Sequence, residues 1–306
     1  MPTRSGSIRL FRAFGIDVYL HLTWFLAAAY FIYYARGHSP LIWNALECLA
    51  LFAIVLTHEF GHQLACRSVG GQTHDIILWP FGGVAYVSPP QRPGAQLWSI
   101  AAGPLVNVML VPFLSLLVAI SSHLGWYDTY PDAYIFIHNL WWINAILLIF
   151  NMLPIYPLDG GQILRSLLWF LFGRANSLMA ASVIGFIGVI GLIGWAVLTL
   201  NPILGGGCVL IVLCCWSGLT QARALARLAK MPRRDGFACP VCKTAPPLGP
   251  VWRCGRCRQP FDTFATLGTC PHCGTQFAVT QCLDCGSARP ITEWMTSPQP
   301  PPIIDV

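Results

Sequence analysis

Charge is the scarcest feature of this sequence. Only 10% of its 306 residues are Asp, Glu, Lys or Arg, where a soluble domain carries about a quarter, and none occurs between Ala175 and Ala222. So little charge excludes an ordinary soluble enzyme and a disordered chain alike, since both depend on a well-solvated polar surface. Acidic residues are fewer than basic ones, giving a formal net charge of +6. The basic residues sit at the ends of apolar runs rather than in one patch, which reads as membrane topology and not as a nucleic-acid surface. A cleavable leader is not legible either: the first long apolar run, after Arg4, Arg9 and Arg12, is of span length and lacks a small-residue cleavage site behind a short core. That segment is expected to stay in the membrane.

What the chain has instead is long apolar segments. Runs 18–35, 43–66, 97–122 and 133–153 are each long enough to cross a bilayer. The stretch 175–222 is broken into two more by Asn201-Pro202 and Gly205-Gly206-Gly207. The expected fold is an all-α polytopic membrane protein of about six transmembrane helices. Arg67, Arg92, Arg165, Arg174 and the basic stretch from Arg223 to Arg234 fall on the side of the N-terminal arginines, and only Arg36 falls on the other. By the positive-inside rule both termini are then cytoplasmic. The compact build, with no large lumenal insertion, points to a bacterial or archaeal cytoplasmic membrane.

The second span carries His58-Glu59-Phe60-Gly61-His62. Imidazoles four residues apart share one helix face and can bind one zinc ion, with Glu59 beside it as general base. A shuffled chain of this composition would hold roughly 0.002 such matches, so chance is a poor account. Two His and a Glu inside an apolar span are costly unless they pair or act. Two ligands do not complete a zinc site, and the topology puts Asp159, after the proline-broken end of span four, on the same side as His62. Taken alone, Asp159 would serve equally well as the cap of the helix beginning near Gly161; next to H-E-x-x-H, ligation is the stronger reading.

These residues carry a resemblance. H-E-x-x-H in one span, together with N-x-x-P-x-x-x-L-D-G from Asn151 to Gly160, resembles the site-2 protease family of intramembrane zinc metalloproteases, over roughly residues 10 to 222. The resemblance implies that Asp159 is the third zinc ligand and that Asn151 lies near the catalytic centre, holding substrate or polarising its carbonyl. It also implies cleavage in or near a membrane-embedded segment of another protein. Gly103-Pro104-Leu105-Val106-Asn107 is similar to the family's G-P-x-x-N element, which would put Asn107 at an unwound substrate; an Asn acting as polar glue between helices is an equal alternative. Residues 74–87 read as two strand-like halves around Phe81-Gly82-Gly83, a hairpin whose edge an extended substrate could join.

The tail is a different material. Cys239 and Cys242, Cys254 and Cys257, Cys270 and Cys273, and Cys282 and Cys285 form four C-x-x-C knuckles. Two knuckles close one tetrahedral thiolate site, so four imply about two structural zincs, and a reducing cytoplasm favours metal over disulfide. Spacing leaves sequential, crossed and nested pairing open. Arg253, Arg256 and Arg258 are accompanied by Asp262, Asp284 and Glu293, so no basic stripe appears and a cytoplasmic protein is the expected partner rather than nucleic acid. The organisation expected is a membrane metalloprotease domain (1–222), a basic linker (223–236), a zinc-ribbon-like module (237–290) and a proline-rich disordered tail (291–306). The leading function is a zinc-dependent intramembrane endopeptidase in regulated signalling proteolysis, with one catalytic and about two structural Zn2+. The alternative is a non-proteolytic membrane scaffold that displays the zinc module.

Overall fold

The computed structural model describes residues 6–34, 40–79, 82–199 and 202–296. The chain divides into two compact units, Met1–Ala222 and Arg223–Val306.

The first unit opens with a sheet. Strands β1 (Ser7–Ala13), β2 (Ile16–His21), β3 (Gln72–Trp79) and β4 (Gly82–Ser88) lie in that order, with β2 and β3 parallel and the other pairs antiparallel. The expected hairpin is thus the outer half of a four-stranded sheet; its turn at 80–81 lies outside the described residues. The first expected span, 18–35, begins in the sheet: residues 16–21 are strand, and among the described residues the helix that follows, α1, runs Thr23–Tyr34. The reason lies in the pattern: Ile16, Val18 and Leu20 are buried while Asp17, Tyr19 and His21 are not, a period of two that the wholly apolar stretch after it conceals. The His21 ring then accepts the Thr23 backbone N–H at 3.3 Å, at the start of α1.

Among the described residues, five helices are long and apolar enough to cross a membrane: α2 (Leu41–Ser68), α3 (Pro93–His123), α5 (Pro131–Asn151), α6 (Asp159–Leu198) and the stretch Gly205–Lys230 of α7 (Pro202–Lys230). A short α4 (Trp126–Thr129) joins α3 to α5. Proline in the first turn of α3 and of α5 fits there because the first helical N–H groups have no intrahelical partner. Gly173, at φ 74° and ψ 171°, breaks α6 into two helices. The burial pattern of these helices is inside out. Asn44, Glu47, Gln63, Ser99, Asn107 and Asn144 are buried, while Met109, Leu171, Ile187 and Leu198 are exposed, the arrangement expected when the solvent is lipid.

The site is positioned by α2. Ile16, Val18 and Leu20 of β2, with Ile76 and Leu78 of β3, pack on Phe52, Val55, Leu56 and Phe60, which fixes the sheet beside His58 and Glu59. Helix α3 packs against α2, α5 and α6.

The second unit has its own core. Trp252, Phe261, Phe264, Ile291 and Trp294 are buried among the cysteines, around two-stranded ribbons β5 (Trp252–Arg253) with β6 (Pro260–Phe261) and β7 (Thr280–Gln281) with β8 (Ala288–Arg289). Two expected boundaries move. The supposed linker is helical through Lys230, and Arg233 and Arg234 are built into the module by salt bridges to Asp284 and Asp262. The supposed tail begins with a 3-10 turn, Ile291–Trp294, that puts Trp294, 1% exposed, against Phe264 at 4.9 Å between ring centroids. A module with so little apolar material draws on a large side chain outside its knuckles to complete a core. Residues 297–306, the rest of the expected tail, lie outside the described residues.

Candidate active site and metal centres

His58 and His62 lie one turn apart on α2, and Asp159 is the first residue of α6. The His58 Nε2 stands 3.0 Å from the Asp159 Oδ2 and 3.1 Å from the His62 Nε2; the His62 Nε2 is 3.4 Å from the same carboxylate oxygen. Tetrahedral ligands at zinc–nitrogen and zinc–oxygen distances would lie about 3.3 Å apart, so the three atoms already have the spacing of a zinc site.

The other ring nitrogens show which atoms are free to ligate. The His62 Nδ1–H donates to the Ser99 carbonyl at 2.9 Å, and the His58 Nδ1–H donates to the Asn107 Oδ1 at 2.6 Å. A neutral imidazole has one N–H, so both Nε2 atoms face the Asp159 carboxylate as lone pairs. Three lone pairs aimed at one point repel unless a cation lies between them, and a hydrogen bond on the far ring nitrogen is the usual outer support of a metal-binding His. The residues fit zinc.

Clearance is provided by Gly103 of α3. A Cβ there would lie 2.2 Å from the His62 Nε2 and 2.8 Å from the His58 Nε2, so the G-P-x-x-N element brings a bare backbone up to the ligands. Asn107 of the same element is fully buried and spends its amide on His58 and Asn144. Of its two expected roles, substrate contact or polar glue between helices, these bonds are of the second kind: it joins α3 to His58 of α2 and Asn144 of α5. Asn151 ends α5, partly exposed, on the segment that leads into Asp159.

Glu59 is buried next to the ligands, and its Oε2 accepts the Ala85 backbone N–H of β4 at 2.9 Å. At Gly83 of the same strand a Cβ would meet the Glu59 side chain at 2.3 Å. Sequence reasoning missed the Ser99 carbonyl and the Ala85 amide, because a backbone group leaves no residue-type signal. It also missed Asn144, whose only signal is an amide inside an apolar run.

In the tail, the knuckles pair in nested fashion. Cys239 and Cys242 meet Cys285 and Cys282 with Sγ–Sγ distances of 3.6 and 3.8 Å, and Cys254 and Cys257 meet Cys273 and Cys270 at 3.5 and 3.7 Å. A disulfide would hold the sulfurs at about 2.0 Å, whereas thiolates around one zinc lie about 3.8 Å apart. Each quartet therefore fits a tetrahedral zinc. The residue after each knuckle, Lys243, Arg258, Gly274 or Gly286, has a left-handed φ between 60° and 76°. Its N–H turns back to the carbonyl of the first cysteine at 2.8 to 2.9 Å.

Burial pushes the Cys239 thiol up, but the Cys242 N–H, the Ser287 hydroxyl and the Val241 N–H outweigh it and bring it to about 6. The Thr275 hydroxyl and N–H likewise hold Cys273 down to about 6. Against the Gln259 N–H, burial and the neighbouring thiols of Cys254, Cys273 and Cys270 drive Cys257 up to about 12. Each quartet thus holds at least one thiol shifted down, Cys239 in one and Cys254 and Cys273 in the other, and a dication is needed for all four to ionise.

Comparison with known proteins agrees with this geometry. Residues 47–195 match the model of peptidase family M50. A zinc metalloprotease of Methanocaldococcus jannaschii is 32% identical over 198 residues, 65% of this chain and 56% of that protein. The stage IV sporulation protein FB of Bacillus subtilis is 31% identical over 153 residues, 49% of this chain and 46% of that protein. The chain thus spans about half the length of these curated relatives. Among solved structures, the site-2 protease from M. jannaschii superposes with a TM-score of 0.51 at 28% identity, covering 70% of this chain and 95% of that one.

Proposed function

Residues 47–195 match peptidase family M50, and on that premise we propose that the chain is a site-2 protease, a zinc-dependent endopeptidase. It hydrolyses a peptide bond in or near a transmembrane segment of another membrane protein, as a step in regulated signalling. The observation that carries the reading is the meeting of His58, His62 and Asp159 with Glu59 beside them, inside helices of membrane-spanning length.

His58, His62 and Asp159 hold the metal. When bound, zinc supplies the positive charge that acidifies an attacking water and polarises the scissile carbonyl. Glu59 takes the proton from that water at its carboxylate and passes it to the leaving amide nitrogen. The Ala85 N–H holds one oxygen, Oε2, and so orients the other, Oε1, for the transfer. A peptide bond in a helix is shielded by its own hydrogen-bond ladder, so the substrate must be extended before attack. Strand β4 is an outer strand of the sheet among the described residues and lies against Glu59, where an extended segment can replace its lost helical bonds with sheet bonds. Asn151, at the mouth of the loop to Asp159, steadies that segment. Both termini face the cytoplasm, and the zinc module contacts a cytoplasmic protein.

The test is a comparison of the native host's membrane proteome with wild-type protein and with Glu59→Gln. The proposal expects a membrane protein that is cut only with wild type. Identical proteomes under several stress conditions, with zinc retained in the variant, would transfer support to the scaffold reading.

A further inference from the structure

Behind His58 runs a chain of amides whose direction is fixed at its far end. The Asn107 backbone carbonyl can only accept, and it receives the Asn144 Nδ2–H at 3.0 Å. The other end of the Asn144 amide must then be its oxygen, and this accepts the Asn107 Nδ2–H at 2.9 Å. The Asn107 amide is thereby turned with its oxygen toward His58, 2.6 Å from Nδ1. An oxygen there requires Nδ1 to carry the proton, which leaves Nε2 bare toward Asp159. Reversing either amide would set two donors or two acceptors face to face at the joints. Both Asn side chains are 0% exposed, so water does not compete.

We propose that Asn144 is a positioning residue for the metal site: acting through Asn107, it fixes His58 in the tautomer that can ligate. The two histidines differ in this. His62 reads its tautomer directly from a backbone carbonyl, that of Ser99, whereas His58 depends on a side chain of α5, a helix that contributes no ligand. This inference rests on the zinc site of the proposed function.

Asn144→Leu keeps the size of the side chain and removes both of its polar ends. The Asn107 amide is then free to turn its NH2 toward His58, which moves the imidazole proton to Nε2, where the metal belongs. Lost outer support of this kind weakens metal binding about 10- to 100-fold. Asn107→Asp gives the control, because a carboxylate presents oxygen to His58 whichever way it is turned and needs no orienting partner.

The experiment measures zinc per chain on the full-length protein in detergent against graded chelator, with the thiolate-held zincs of the tail as internal reference. Asn144→Leu is expected to release the active-site zinc at about 10- to 100-fold lower chelator strength than wild type. Adding Asn107→Asp to Asn144→Leu is expected to restore retention to within a few fold of Asn107→Asp alone. Asn144→Ala removes the same two polar ends without adding bulk; it is expected to show the same loss and carries the test if the Leu variant does not fold. Equal retention in Asn144→Leu and wild type overturns the proposal. So does an equal loss when Asn144→Leu is made on top of Asn107→Asp, which would make Asn144 a packing residue only. A wild-type chain holding only the tail zincs would overturn the metal site itself.

Discussion

The Glu59 carboxylate on α2 and the Ala85 backbone amide on β4 are joined by a 2.9 Å hydrogen bond. The candidate base is therefore held by the strand that an extended substrate would meet. Because β4 is an outer strand, an amide facing away from β3 can be lost without breaking the ladder, and proline is tolerated at such positions. Ala85→Pro removes the donor and leaves Glu59 unanchored. The expected outcome is a fall in kcat of about 10-fold or more, a fraction of what general-base catalysis contributes, with zinc content unchanged. Kinetics and metal analysis on one preparation check this; an unchanged kcat would show that the bond has no part in orienting the base.

Gly103 makes a sharper prediction about space. A methyl group at that position would overlap both Nε2 atoms, so Gly103→Ala must displace α2, α3 or the imidazoles. The expected result is loss of the active-site zinc and a drop in stability of about 1–3 kcal/mol, the usual range for overpacking, while the tail keeps its zincs. Metal content together with thermal unfolding tests it; retention of full zinc would mean that the rings are not where the structure places them.

Nested pairing in the tail predicts which losses add. Cys239→Ser and Cys285→Ser remove donors from one quartet, so the double variant should lose one zinc, the same as either single variant. Cys239→Ser with Cys254→Ser touches both quartets and should lose two. Zinc per chain by mass spectrometry separates nested from sequential pairing, which makes the opposite prediction for a Cys239–Cys254 double variant. Full chelation should also expose Trp294 and loosen the core around Phe264, since the module has few apolar residues to hold it otherwise.

Glu47 is buried on α2 and accepts the Asn139 side-chain N–H at 2.6 Å. Removing one member of such a pair leaves the other unsatisfied, whereas removing both does not. Asn139→Leu is therefore expected to cost about 1–3 kcal/mol of stability, and Asn139→Leu with Glu47→Leu clearly less. Thermal unfolding of the three proteins decides it; equal costs would show that the pair is not coupled.

What was legible in the sequence follows from what kind of signal each feature leaves. Residue types that are expensive in lipid stand out, so His58, Glu59, His62 and Asp159 could be picked from an apolar background, and C-x-x-C spacing marked the tail. The strand at 16–21 could not be separated from the helix behind it, because an apolar residue satisfies either period, Asp17 looked like a span end and His21 lay inside the run. Asn107 stayed open between substrate contact and polar glue because its partners lie on α2 and α5, 49 and 37 residues away, and no local spacing encodes that meeting. Nested pairing was equally hidden, since each knuckle closes on itself in the same way whichever knuckle it faces. Trp294 fell outside the expected module because the cysteines alone defined its edge, while the core needed a large side chain beyond them.

The central claim is that Glu59 acts on a zinc held by His58, His62 and Asp159. Its most direct test places purified wild-type and Glu59→Gln protein in the same detergent, with the membrane substrate identified by the proteome comparison, and measures zinc per chain and cleavage together. The account predicts about three zincs in both proteins and cleavage by wild type alone, with the variant slower by at least about 100-fold. Cleavage by Glu59→Gln at the wild-type rate with its zinc in place would contradict it.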